Sequence, residues 1–143
     1  EKLKQAAPDT NGTHALAHLN HCFMAGQCKA SDIPRLDEVY EAALSHTPPS
    51  GGLLAVDGEY SWHIKNDRDR AEADYREVLR RGPDDLAAQS NLIVVLIYQR
   101  KRDEAKKMIQ SLERRNKFGM LDGFIEPLRR TLSDAPKVSQ DAQ

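Results

Sequence analysis

Arg70-Ala71-Glu72-Ala73-Asp74-Tyr75-Arg76-Glu77-Val78-Leu79-Arg80-Arg81-Gly82-Pro83 carries Ala71, Tyr75, Val78 and Leu79 on one helical face. Asp67 offers a side-chain cap ahead of this run, and Gly82-Pro83 stops it, so the spacing predicts an amphipathic helix over 68–81. The same spacing recurs along the chain. Leu36, Tyr40, Ala43 and Pro48 stand at offsets of four, three and five; Ala71, Tyr75, Val78 and Pro83 repeat them 35 residues later. Ala105, Ile109, Leu112 and Lys117 repeat them after another 34. The middle unit has the full pattern of small, bulky and medium residues before a turn-forming proline, and each outer unit misses one position. Such a period marks helical hairpins stacked in tandem, in which a small residue lets the second helix approach the first.

Six further helices follow from the same reasoning. Residues 13–25 place Leu16, Leu19, Phe23 and Met24 on one face, with Gly26 as terminator. Residues 33–45 follow Ser31 or Asp32 as N-cap and tolerate Pro34 in the first turn. Residues 52–65 bear Leu53, Leu54, Val56, Tyr60, Trp62 and Ile64, although Gly52 and Gly58 weaken a helix there. Residues 85–99 are apolar nearly all round in their second half, which marks the most buried helix. Residues 103–116 and 120–132 complete the set, and Pro127 is expected to bend or delay the last. No segment alternates long enough to argue a strand. The fold expected is all-α, with a linker stub at 1–12, one helical domain at 13–132 and a flexible tail at 133–143.

Composition narrows the function classes. The 143 residues are 30% charged, 39% hydrophobic and 6% aromatic, with net charge −1, as in a soluble helical protein. Near-neutral charge removes a global case for nucleic acid, and membrane contact of this fragment is not expected. The longest apolar run, 92–98, has seven residues, against the roughly 20 of a membrane span. No signal peptide is visible, and a chain opening at Glu1 without Met is expected to be cut from something larger. Charge is uneven: residues 1–98 hold 10 basic and 15 acidic groups, and residues 99–143 hold 11 and 7. The basic third reads either as a patch for an acidic partner or anionic headgroups, or as a solvated face with cations near helix C-termini.

The recurring Ala71-x3-Tyr75-x2-Val78-x4-Pro83, with Asn91-Leu92, Ala105 and Leu112 in the third unit, resembles the tetratricopeptide repeat family. Trp62 falls near an aromatic that the family keeps on its first helix, whereas Leu36, Ile93 and Lys117 depart from the pattern. The resemblance implies a right-handed superhelix of three antiparallel helix pairs, at about 17–50, 52–85 and 86–119, with 120–132 as a capping helix. It also implies that Asn91 holds the backbone of a bound peptide. The paired-cysteine hairpin, the repeats and Asn116-Lys117-Phe118-Gly119-Met120-Leu121-Asp122 together look similar to soluble tails of bacterial polytopic glycan-handling membrane proteins of the O-antigen-ligase type.

Site chemistry is sparse. Cys22 and Cys28 are too far apart on a continuous helix to bond, but a left-handed Gly26 would turn the chain back over Cys22. A bridge would then stabilise by roughly 2 kcal/mol and imply an oxidising, periplasmic setting; two reduced thiols would fit the cytoplasm. His14, His18 and Cys22 share a helical stripe, with His21 beside it, yet no carboxylate joins them and no metal is expected. His46 and His63 have no patterned nucleophile, so no catalytic residue is assigned and no cofactor is expected. Arg68, Arg70, Arg76 and Arg80 interleave with Asp67, Asp69, Glu72, Asp74 and Glu77, as on a solvated, ion-paired face.

In stacked hairpins the first helix of each pair lines the concave side, which nominates His18, His21, Val56, Tyr60, His63, Asn91, Val94 and Tyr98 as groove residues. Ordinary packing is the competing role for Tyr60 and Tyr98. The reading is a non-catalytic module that binds a protein or peptide, including the membrane domain of its own polypeptide. The alternative is a regulatory or substrate-positioning periplasmic domain of a membrane-embedded glycan transferase.

Overall fold

The computed structural model describes residues 10–45 and 48–136. Among them it has seven α-helices, two 3-10 turns and no strand, and about 80% of these residues are helical. The helices are α1 (Thr10–Met24), α2 (Ile33–Leu44), α3 (Gly51–His63), α4 (Arg68–Arg81), α5 (Leu86–Tyr98), α6 (Arg102–Arg115) and α7 (Asp122–Asp134). The all-α expectation is met. α1 takes in the last residues of the expected linker stub, and α7 runs uninterrupted through Pro127 to Asp134. The rest of the stub, His46 and the end of the expected tail lie outside the described residues. The chain divides into two compact units, one ending at Pro83 and one beginning at Asp84.

In the first unit, caps set the helix starts. Ser50 Oγ accepts from the Leu53 N–H at 3.1 Å, and Asp67 Oδ1 accepts from the Arg70 N–H at 3.1 Å. Asp32 occupies the cap position of α2, yet its side chain makes no capping bond. At the end of α1, Gly26 takes φ +69°, and the Gln27 and Cys28 N–H groups both reach back to the Cys22 carbonyl. Leu16, Leu36, Tyr40, Leu53 and Tyr60 form the core, with Leu19, Phe23 and Val39 packed around it. α4 lies against α3 with Ala71, Tyr75 and Val78 buried.

The second unit packs α5, α6 and α7 mutually. Asp85 caps α5 through the Ala88 N–H at 2.9 Å. Leu92, Ile93 and Leu96 meet the buried sets of α6 (Ala105, Ile109, Leu112) and α7 (Ile125, Leu128). Arg102 donates to the carbonyls of Leu132, at 2.5 Å, and Ala135, at 3.2 Å, satisfying acceptors that the end of α7 leaves open. Of the residues recurring at the repeat offsets, Ala43 alone is only half-buried; the turn positions aside, the rest are buried. Where the third unit lacks a turn proline, left-handed Phe118 and Gly119 reverse the chain instead.

Gly58 is the close-approach point of the first unit. A Cβ built there would stand 2.9 Å from the Tyr75 ring, whereas at Gly52 the nearest atom is 3.7 Å away. Urea denaturation should therefore show Gly58→Ala destabilising by about 1–3 kcal/mol through overpacking, with Ala71→Leu in the same range. Gly52→Ala should be neutral or stabilising by up to about 1 kcal/mol. Equal behaviour of the two glycine variants would contradict the α3–α4 contact.

Candidate functional site

The residues nominated for a groove separate into three groups. On α1, His18 and His21 are exposed and, with His14 and Ala17, line an open depression. On α5, Asn91 and Tyr98 are exposed and Val94 is half-buried; they stand at i, i+3 and i+7, on one face. Tyr98 also borders a cleft with Pro127, Arg130, Thr131 and Asp134. On α3, His63 is exposed at the C-terminal end, and its ring meets Trp62 edge-on at 6.3 Å.

Tyr60 does not belong with them. It is 0% exposed, stacks on Tyr40 with ring centroids 4.2 Å apart, and donates its hydroxyl to Asp37. Val56 likewise packs against that core. The reason is that α3 mixes polar and apolar residues around its circumference, so a rule assigning first helices to the concave side does not choose which of its faces stays open.

A polar network missed at the sequence level surrounds this pair. Buried Asn20 donates from Nδ2 to the Val56 carbonyl at 3.0 Å and accepts from the Tyr40 hydroxyl at 2.7 Å. On the other side, Asp37 accepts from Tyr60 and pairs with Lys65 at 2.7 Å. Burial opposes ionisation of Asp37, but its bonds to Lys65 and Tyr60 outweigh that and hold it below its ordinary value. Burial raises both tyrosine hydroxyls above theirs. Hydroxyls so held are hydrogen-bonding struts, not proton-transfer groups.

The second polar cluster corrects the picture of α4 as wholly solvated. Arg70 reaches inward to Asp57, which is buried on α3, with two parallel bonds of 2.9 and 2.6 Å. Glu72 is nearly buried and pairs with Arg76 at 2.8 Å. Burial, a hydrogen bond to Asp57 and the charge of Asp57 raise the Asp74 carboxyl to about 8. Asp74 thus keeps its proton at neutral pH. Glu77 is the surface counterpart: Arg80 and Arg81 grip it and lower it to about 2.

Cys22 and Cys28 lie at disulfide-bonding distance, Cα atoms 5.4 Å apart, across the Gly26 turn. A bonded Cys22 is withdrawn from the histidine stripe of α1. Among the described residues no three His, Cys, Asp or Glu side chains are grouped so as to hold a metal ion. No family model, curated protein or solved structure matches this chain.

Asp74 gives a signed pH prediction. Its folded value lies above its unfolded one, so folding takes up a proton, and the stability it contributes below about pH 4 declines as pH rises through about 8. Asp37 and Glu77, held low, act only in more acid solution. Urea melts between about pH 5 and 8 should show stability falling with pH, and Asp74→Asn, which keeps a neutral donor, should flatten that slope. An unchanged slope in the variant would show that Asp74 is not the group responsible.

Proposed function

We propose that this chain is a helical-repeat module that binds a protein or peptide segment and carries out no chemistry of its own. The observation behind this reading is the solvent face of α5. In a chain that is 30% charged, Ala87, Asn91, Val94 and Tyr98 make an uncharged stripe, and Tyr98 keeps 48% of its surface open. A carboxamide offers a donor and an acceptor to any peptide backbone, and an aromatic with two rotatable bonds adds contact area at small entropic cost. The cleft of Tyr98, Pro127, Arg130 and Thr131 continues this surface within the second unit.

The tetratricopeptide-like order of three helix pairs and a cap belongs to the same proposal. Its support is the recurrence of residue types at a period near 34, with those residues turned inward. The cysteine pair at bonding distance supports placing the chain in an oxidising compartment such as the periplasm.

Peptides selected from a random display library on the wild-type protein should lose roughly fivefold or more in affinity for Asn91→Ala and for Tyr98→Ala. Both variants should keep the wild-type melting temperature. Selected peptides that bind both variants as tightly as wild type would move the binding surface elsewhere, and a library yielding no binders would count against a peptide-binding module.

A further inference from the structure

The turn joining α6 to α7 shows its apolar side chains to water. Phe118 is 100% exposed and Met120 79%, with Phe124 exposed in the first turn of α7. The backbone holds Phe118 at φ 60° and ψ 25°, a left-handed conformation that bulky residues rarely adopt. The turn is nonetheless fixed. Asn116 donates from Nδ2 to Asp122 Oδ1 at 2.6 Å, and its Oδ1 accepts from the Leu121 N–H at 2.8 Å. A phenylalanine so placed adds nothing to the core and sits on a strained backbone; what it does is face outward.

Between residues 114 and 122 the charges are Arg114, Arg115, Lys117 and Asp122, so cations predominate. Arg114, in the last turn of α6, and Lys117, within the turn, are exposed and pair with no carboxylate among the described residues. Of the neighbouring acids, Glu113 and Glu126 both pair with Arg129, and Asp122 accepts from the neutral Asn116 amide and keeps its charge. Exposed Lys106 and Lys107 lie further back on α6. Aromatic and thioether side chains at a turn tip, with Arg114 and Lys117 behind, match the layering of a bilayer surface with acyl chains beneath phosphates. A protein partner with an acidic face would match the cations but would leave the tip apolar groups needing a pocket of their own.

We propose that the α6–α7 turn docks on an anionic membrane surface, with Phe118 and Met120 entering the acyl boundary and Arg114 and Lys117 meeting lipid phosphates. No helix among the described residues is long and apolar enough to cross a membrane, so the contact is peripheral. It stands apart from the α5 surface and survives if that reading fails.

The test is flotation of the full chain with phosphatidylcholine vesicles, with and without a minority of phosphatidylglycerol. The protein should float with the anionic vesicles only, and raised salt should release it. Phe118→Gly, which also relieves the left-handed strain, should keep the melting temperature and lower vesicle affinity roughly tenfold. Arg114→Gln and Lys117→Gln should each lower it roughly fivefold. Phe118→Trp should bind like wild type and be quenched by brominated lipid, whereas wild type, whose sole tryptophan is Trp62, should not. Absence of flotation at low salt, or flotation indifferent to Phe118→Gly, overturns the proposal. So does capture by polyglutamate with no binding to vesicles, which would assign the turn to an acidic protein.

Discussion

Close approach of α3 and α4 governs the chemistry of the first unit. Backbones come this near only where a side chain is missing, and Gly58 leaves the space that the Tyr75 ring fills. Ala71, fully buried on α4, keeps the same seam shallow. Proximity then buries Asp57, and a buried carboxylate needs a partner, which Arg70 supplies with two bonds. Burial, together with the neighbouring Asp57, then opposes ionisation of the Asp74 carboxyl and raises it. The ion pair is weak evidence for net stability, because desolvation offsets much of its attraction. Its contribution is register: one rotation of α4 against α3 satisfies Asp57 and seats Tyr75 together.

The Asn20–Tyr40 network acts in the same manner among α1, α2 and α3. Aliphatic side chains tolerate many docking arrangements, but a buried carboxamide with a hydroxyl on one side and a carbonyl on the other accepts few. Tyr40 and Tyr60 stack between that carboxamide and the Asp37–Lys65 pair, so polar groups at both ends of the stack fix how the rings meet. α5 works differently. Its buried face is aliphatic, and its order comes from packing against two helices together with the hold of Arg102 on the end of α7.

What was legible in the sequence is what local chemistry decides. The bounds of α4 followed from Asp67 and Gly82, because capping and termination act within a turn of the chain. The Gly26 reversal followed in the same way, and with it the approach of Cys22 to Cys28. Facing was legible where polar residues marked one side, as on α4 and α6, but not on α3, where polar and apolar residues alternate around Tyr60 without a clear face. Asn20 gave no signal, since a single carboxamide on an amphipathic helix is read as solvated until its partners, 20 and 36 residues away, are known. In the sequence Gly58 marks only a local weakness of the helix, though its role is a contact with another helix.

Charge shows the same gap between sequence and space. Glu113 and Glu126 interrupt the basic residues of the last third when read along the chain. In the fold both turn to Arg129, so one of the two negative charges is balanced there. Screening in salt confines each exposed charge to a range of about 8–10 Å, so what a surface offers depends on the groups within that distance and not on the chain total. A net charge of −1 therefore conceals a turn where cations outnumber carboxylates and whose apolar side chains are open. Asn116 makes that turn possible: by bonding Asp122 and the Leu121 N–H it holds the reversal without burying Phe118, so the local structure needs no cover to persist.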